Sequence, residues 1–228
     1  DEHDAEIQAL ELTNRSTEKK SIRIVSYVEW CLWNAEDDAA NLQRTLSIGE
    51  TYVEDGIICH VTGYRERRCH YAYHAASAPV HGFESDRDAF LGAQGELASP
   101  AALRSRASSN GLASGWWPIA SLACEVTLEP GQTQALSFVT GYAENAEDDK
   151  WSAAGTPNVA TAKLVASRLR DPEFVERSLR AQRERWNDLL GTFQASTPEP
   201  ELDDLVKTCE ARKAEDERRY AEYTALFD

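Results

Sequence analysis

Three acids, Glu36, Asp37 and Asp38, stand together in the chain, and Gln43 and Arg44 follow shortly after them. Paired carboxylates do the work of glycoside cleavage, one as acid and the other as base or nucleophile. Adjacent acids in a loop are more often solvated or structural, and nothing in this spacing raises a pKa. Gln43 and Arg44 make the better binding pair. A glutamine amide both donates and accepts, and a guanidinium offers a fixed fork of donors. That set suits a ring of sugar hydroxyls, which also donate and accept. Neighbours on a regular strand face opposite sides, so both side chains reach one ligand only from an irregular loop. The acid-rich stretch supplies such a loop.

Cys59, His60, Cys69, His70 and His74 carry the residue types of a zinc site. His70 and His74 share a strand face, but Cys59 and His60 point to opposite faces and no two of the five sit on a tight knuckle. Packing is the favoured reading, and no metal or cofactor is expected. The stretch YRERRCHY, residues 64–71, interleaves Arg65, Arg67 and Arg68 with tyrosines. Such a pattern can stack on bases or sugars, yet in an acidic chain these arginines are better used in ion pairs. Trp116 and Trp117, or Tyr64 and Tyr71, could serve as stacking platforms for a sugar ring. Asn14-Arg15-Ser16 fits a glycosylation acceptor and, more simply, a turn.

The elements that must position these residues are mostly strands, from residue 5 to about 165. Ile22, Ile24, Ser26, Val28, Trp30 and Leu32 line one face of an extended segment. Val25, Tyr27, Cys31 and Trp33 line the other. Both faces are apolar, so this strand is placed at the centre of a sandwich. A polar turn over 13–18 separates it from a strand holding Ile7, Leu10 and Leu12. Further strands are predicted around Thr51–Val53, Gly56–Thr62, Cys69–Ala76, Ala123–Leu128 and Ala135–Tyr142, with Glu129-Pro130-Gly131 turning the last pair. Residues 82–110, rich in Ser, Ala, Gly and Asp, read as a long loop. Asp171-Pro172 opens a helix that Gly191 closes, and residues 202–227 form a charged helix supported by Glu215 and Arg219.

The chain has 228 residues, 42% of them apolar, which is enough for a real core. Its 24 basic and 39 acidic residues leave a net charge of -15. A surface so acidic disfavours nucleic acid and anionic membranes as partners. No segment reads as membrane-spanning. The five cysteines are widely spaced and odd in number, as in a cytoplasmic protein with reduced thiols. The chain contains no methionine and starts at Asp1, as a fragment would.

The segments SYVEWCLWNAEDD, NLQRTLSIGE, YRERRCHYAY, GFESDRDAFLG, ASGWWPIAS, LEPGQTQ and VTGYAEN, followed by Lys150-Trp151, occur in this order. Together they closely resemble the cellobiose phosphorylases of glycoside hydrolase family 94, formerly grouped with glycosyltransferases. The resemblance runs from about Ala5 to Val206. It implies a mainly β fold. Residues 1–155 would be the later part of an antiparallel super-β-sandwich of the galactose-mutarotase-like kind, with its first strands missing. Residues 156–228 would be a helical linker and a divergent charged helix.

The family's general acid and phosphate ligands lie in an α-helical barrel with no matching positions here. No residue of this chain is therefore expected to be catalytic, and the chain alone is expected to be inactive. In the intact family cellobiose and phosphate give α-glucose 1-phosphate and glucose with inversion. One acid protonates the leaving oxygen, while phosphate, already anionic, attacks without a general base. The match of Asn41-Leu42-Gln43-Arg44 implies that Gln43 and Arg44 touch the leaving-group sugar. The implied partners are a β-glucoside or glucose, inorganic phosphate and a second copy of the chain. A stand-alone carbohydrate-binding sandwich and a dimerisation module without ligand remain the other readings.

Overall fold

The computed structural model describes residues 3–30, 36, 40, 49–62, 69–92, 95–113, 117–152, 155–191, 198–206, 208–209, 212–213 and 215. The chain divides into two compact units, Asp1–Asp171 and Pro172–Asp228. The first holds strands β1 (Ala5–Thr13), β2 (Lys20–Val25), β3 (Val28–Glu29), β4 (Gly49–Glu54), β5 (Ile57–Thr62), β6 (His70–Ala76), β7 (Val80–Asp86), β8 (Pro118–Leu128) and β9 (Thr133–Glu144). It also holds the short helices α1 (Arg87–Leu91) and α2 (Ala101–Ser105), and the longer α3 (Ala160–Leu169).

Five strands form one antiparallel sheet in the order β1-β9-β6-β5-β4. Asp55 and Gly56 join β4 to β5, both in the left-handed region at φ 53° and 76°. That is what a two-residue turn matched to strand twist requires, and Asp-Gly is a sequence signal for it. The second sheet is built around β8. Cys124 pairs with Ile24 of β2 and also with Val80 of β7. A strand has only two edges, so β2 and β3 follow one side of β8 and β7 the other.

The two sheets face each other through side chains two residues apart, as a pleat demands. From β8 come Ala120, Leu122, Cys124, Val126 and Leu128; from β9 come Leu136 and Phe138; from β6, Ala72 and Ala76; from β5, Ile58. Trp30, at the end of β3, completes this core. His74 crosses it. Its Nδ1 meets Thr140 Oγ1 at 3.0 Å in its own sheet, and its Nε2 meets Ser26 Oγ at 2.8 Å in the other. Ser26 Oγ in turn accepts the backbone N–H of Leu122 at 3.0 Å. Burial holds the His74 imidazole down to about 4, so it is neutral at pH 7.

Both outer faces are covered. On the five-stranded sheet Tyr71 and Tyr73 lie fully buried beside Val139, and α3 contacts this sheet with Ala162, Val165, Ala166 and Leu169 buried. The α3 backbone N–H of Ala162 donates to Tyr71 Oη at 3.3 Å. Tyr73 packs onto Gly141, where any Cβ would run into its ring. On the other sheet, Ile119 packs with Phe90, Leu91 and Ala102, with Val25 and Tyr27 against them.

The fold corrects three sequence expectations. The segment through residues 22–30 does alternate between two buried environments, with Ile24 and Val28 inside and Val25 and Tyr27 outside. It is not central, however. It breaks at Ser26 into β2 and β3, and among the described residues both pair only with β8, which is the true centre. Residues 82–110 are not one long loop: most of β7, then α1 and α2, lie there. Tyr71 is no stacking platform, because it is 0% exposed.

The second unit contains α4 (Pro172–Gly191), which begins on the proline and ends on the glycine as the sequence indicates. Proline has no N–H to lose at a first helical position. Glu215 does not depend on Arg219 for a partner: both its carboxylate oxygens accept from Arg185 Nη2, at 2.9 and 3.1 Å. Among the described residues no helix is long and apolar enough to cross a membrane.

Candidate functional site

One end of the sandwich gathers the polar and aromatic groups that the core does not use. Gly49 at the start of β4 pairs with Thr62 at the end of β5, and His70 at the start of β6 pairs with Glu144 at the end of β9. Trp30 lies parallel to His60 with ring centres 6.5 Å apart, which brings the end of β3 to the same place. Pro118, opening β8, pairs with Asp86 at the end of β7. The described residues flanking 31–48 and 63–68 are therefore all at this end. Gln43 and Arg44, like Asp37, Asp38, Tyr64, Arg65, Arg67, Arg68 and Trp116, lie outside the described residues.

At the same end β3 carries a charge that an apolar strand has no use for. Glu29 sits between Val28 and Trp30, and its Oε1 accepts from Tyr27 Oη at 2.6 Å and from Arg87 Nε at 3.1 Å. The Arg87 guanidinium lies 4.8 Å from the ring centre of Trp117. Tyr27 packs on Phe90 of α1, with ring centres 4.8 Å apart. Trp117 holds φ 38°, an uncommon and strained setting for a bulky residue. Three distant segments thus meet here: YVEW, DRDAF and Trp117-Pro118.

The electrostatics follow from the half-burial. Desolvation first, and then the hydrogen bond to Glu29, push the Tyr27 phenol far above its ordinary value. Burial pulls Arg87 down, but the Glu29 hydrogen bond and charge outweigh it, so the guanidinium is held still more firmly charged. Two further pairs line the neighbouring sheet end. Lys150 Nζ donates to the Thr62 carbonyl at 3.2 Å and lies 5.2 Å from the centre of the Trp151 ring. His70 Nε2 is 3.3 Å from Glu144 Oε1.

The sequence profile described as "Glycosyl hydrolase 94, supersandwich domain" matches residues 1–155, which cover this entire sandwich and its polar end. The chain belongs to this family. An N,N'-diacetylchitobiose phosphorylase of Vibrio proteolyticus is 22% identical over 93% of the chain and 25% of its own length. A solabiose phosphorylase of Paenibacillus borealis is 29% identical over 72% of the chain and 20% of its own length. A cyclic beta-(1,2)-glucan synthase of Rhizobium meliloti is 25% identical over 89% of the chain and 7% of its own length. The chain spans a quarter or less of these curated relatives.

Within the supersandwich the Cys/His set is dispersed. His60 lies in the core, where burial alone holds it down to about 4, while Cys59 lies on the opposite face with its thiol pushed up to about 12. His70 and His74 are four residues apart on one strand, about 13 Å, too far to share a metal. Among the described residues no three metal-ligating side chains converge. Asn14 is a structural turn residue. Its amide Nδ2 donates to the carbonyls of Glu18 at 2.8 Å and Leu128 at 3.0 Å, so it is not presented for glycosylation. Glu36 is exposed.

Sequence reasoning passed over Glu29 and Arg87. The available signal was a lone carboxylate inside an apolar run, which needs a partner if it is even half-buried. Nothing local names Arg87 as that partner, 58 residues away.

Proposed function

We propose that this chain is the non-catalytic supersandwich of an inverting cellobiose phosphorylase, with the linker segment from about residue 156 joining it to a catalytic barrel. The observation that carries this reading is the family match over residues 1–155. Phosphorylase names among the relatives support it, although those names differ in sugar. Cellobiose itself rests on the motif resemblance. In this reading the barrel supplies the acid and the phosphate site. Gln43 and Arg44 contact the leaving glucose, from a segment whose described flanks lie at the polar end of the sandwich. The intact enzyme is a cytoplasmic homodimer. Free thiols at Cys59, Cys69, Cys124 and Cys209 suit a reducing compartment.

The experiment is Arg44→Ala in the intact enzyme, run in the synthetic direction with the isolated chain as control. Losing a charged hydrogen bond costs about 1.5–3 kcal/mol, so glucose use should fall about tenfold or more in kcat/KM. Phosphate KM should hold, and the isolated chain should form no glucose 1-phosphate. An unchanged glucose response removes Arg44 from the site, and turnover by the isolated chain overturns the non-catalytic reading.

A stand-alone carbohydrate-binding sandwich is favoured by one observation. Trp151, 45% exposed, and Trp117 offer indole rings at the polar end. Sugar binding by the chain without any dependence of catalysis on Arg44 would support that reading instead.

A further inference from the structure

Residues 106–111 cross the outer face of the second sheet, tied to the two strands that flank β8. Arg23 of β2 pairs with Glu125 of β8, and Gly82 and Glu84 of β7 pair with Ala123 and Ser121. These positions alternate with the inward Leu122 and Cys124, so they face outward. On the β7 side Glu84 accepts from the Ser109 backbone N–H at 2.5 Å and from the Ser109 hydroxyl. The Phe83 carbonyl accepts from the Asn110 N–H at 3.2 Å, and the Phe83 N–H donates to Asn110 Oδ1 at 2.9 Å. Ser85 Oγ donates to the Gly111 carbonyl at 2.8 Å and accepts from the Ala113 N–H at 2.7 Å. On the β2 side Arg23 donates to the Arg106 carbonyl and, at 2.8 Å, to Ser108 Oγ. Between these ties Ser108 sits on Gly82, where a Cβ would come within 2.6 Å of its hydroxyl. The Asn110–Phe83 bond joins backbone to backbone, and the other ties run through side chains.

We infer that residues 106–111 are a strap that opens and closes as one unit, hinged at Arg106 and Asn110, and that its closure holds the base of the Arg87 cluster. Both hinge residues stand in the left-handed region, at φ 53° and 54°, which is uncommon for a residue with a side chain. The balance between open and closed is close by construction. Glu84 is 3% exposed, and no cation pairs with it among the described residues. Closing the strap therefore takes a carboxylate out of water in exchange for two hydrogen bonds. It also buries the Nε of Arg23 without a partner among the described residues. Opening returns both groups to water. It leaves the core whole, because β7 keeps its pairing with β8 and the inward side chains lie on the other face. The link to Arg87 is direct in the chain. Phe83, Glu84 and Ser85 immediately precede Asp86, whose carboxylate accepts from the Ala89 N–H at 2.9 Å and caps α1, and Arg87 follows. The closed strap grips the residues from which Arg87 projects.

The test is amide hydrogen exchange on the chain itself, read residue by residue. The amides of Ser109, Asn110 and Ala113 should share one protection, lower than that of Leu122 and Cys124 in β8. Glu84→Ala removes the latch, and all three should then exchange about tenfold faster or more while the β8 amides keep their rates. Arg23→Met releases the strap from the β2 side, where none of the three amides is bonded, and should speed the same three together. If Glu84→Ala does not fold, Arg23→Met carries the test. The indole N–H resonance that disappears in Trp117→Phe reports the Arg87 cluster, and it should shift in both variants. Protection lost at Ser109 alone shows separate hydrogen bonds and overturns the strap. Exchange of the three amides only together with Leu122 and Cys124 shows that they open by unfolding, and overturns it as well. Strap amides that respond while the Trp117 indole stays unmoved overturn the link to Arg87.

Discussion

Ser26 and Tyr27 are neighbours in sequence, yet their hydroxyls serve two polar clusters of opposite kind. Ser26 turns inward to His74, and the chain Thr140–His74–Ser26–Leu122 ties one sheet to the other inside the core. Tyr27 turns outward to Glu29, and the set Tyr27–Glu29–Arg87–Trp117 sits half-buried at the end of the sandwich. In the first cluster both ring nitrogens are satisfied within the protein. In the second the Glu29–Arg87 pair keeps about a quarter of its surface in solvent. A closed network fixes how the sheets face each other. An open one, with water at its border, is the kind that can take a ligand. The contrast makes stability depend on the inner cluster and recognition on the outer one.

The largest expected effect is the response of the inner histidines to acid. His60 and His74 both hold values of about 4 when folded, below the ordinary 6.5. Between those values the unfolded chain binds more protons, so stability is complete above pH 6.5 and falls as pH drops toward 4. By pH 4 the loss is about 3 kcal/mol for each ring. Both together approach the whole stability of a typical domain, about 5–15 kcal/mol. Urea midpoints measured from pH 7 to pH 4 should fall steeply below pH 6. A flat profile over that range would show that protonated rings are accommodated, for His74 by hydroxyls turning to accept.

Next in size is His74→Ala. It empties a core position and takes from the Ser26 and Thr140 hydroxyls their shared imidazole partner. Cavity and lost hydrogen bonds together should cost about 3 kcal/mol in urea unfolding. Full stability in this variant would reverse the assignment of the two clusters.

Arg87→Met probes the outer cluster with a side chain of similar reach. The pair it breaks keeps about a quarter of its surface in water, so screening limits the cost to about 1 kcal/mol. Calorimetry should register that small drop. A drop matching His74→Ala would make the ion pair a structural prop.

The inner framework was legible in the sequence because alternation of apolar residues is local. IICHVT, HYAYHAA and the long strands flanking Glu129-Pro130-Gly131 all appear in or near their expected places. VHGFESD escaped because its buried polar residues are answered from far away. Glu84 accepts from the backbone N–H of Ser109 at 2.5 Å, and Ser85 Oγ donates to the Gly111 carbonyl at 2.8 Å. Read alone, Glu84 and Ser85 look like surface loop. The outer cluster was illegible for the same reason. Each member occupies a different segment, and only the pairing of β3 and β7 with β8 brings them together. Gln43 and Arg44 were reached through their donor and acceptor chemistry and then a motif resemblance, and they fall outside the described residues.

The smallest expected effect belongs to the pair that looks strongest by distance. Lys163 Nζ of α3 is 2.5 Å from Glu54 Oε2 at the end of β4, and Tyr52 Oη donates to the same oxygen at 2.9 Å. The hydrogen bond from Lys163 holds the Glu54 carboxyl below its usual range, and the same bond raises Lys163. Both side chains stand in water, where screening and the entropy of holding two long chains in one place cancel most of the attraction. What fixes α3 on the sheet is its buried face of Ala162, Val165, Ala166 and Leu169 over Tyr71. Lys163→Ala should therefore leave the urea midpoint within error of the wild type, at low salt and high salt alike. A destabilisation comparable to His74→Ala would mean that α3 is held by charge rather than by burial. Burial would then cease to rank the polar contacts of this sandwich, and the separation of a stabilising interior from a ligand-reading end would fall with it.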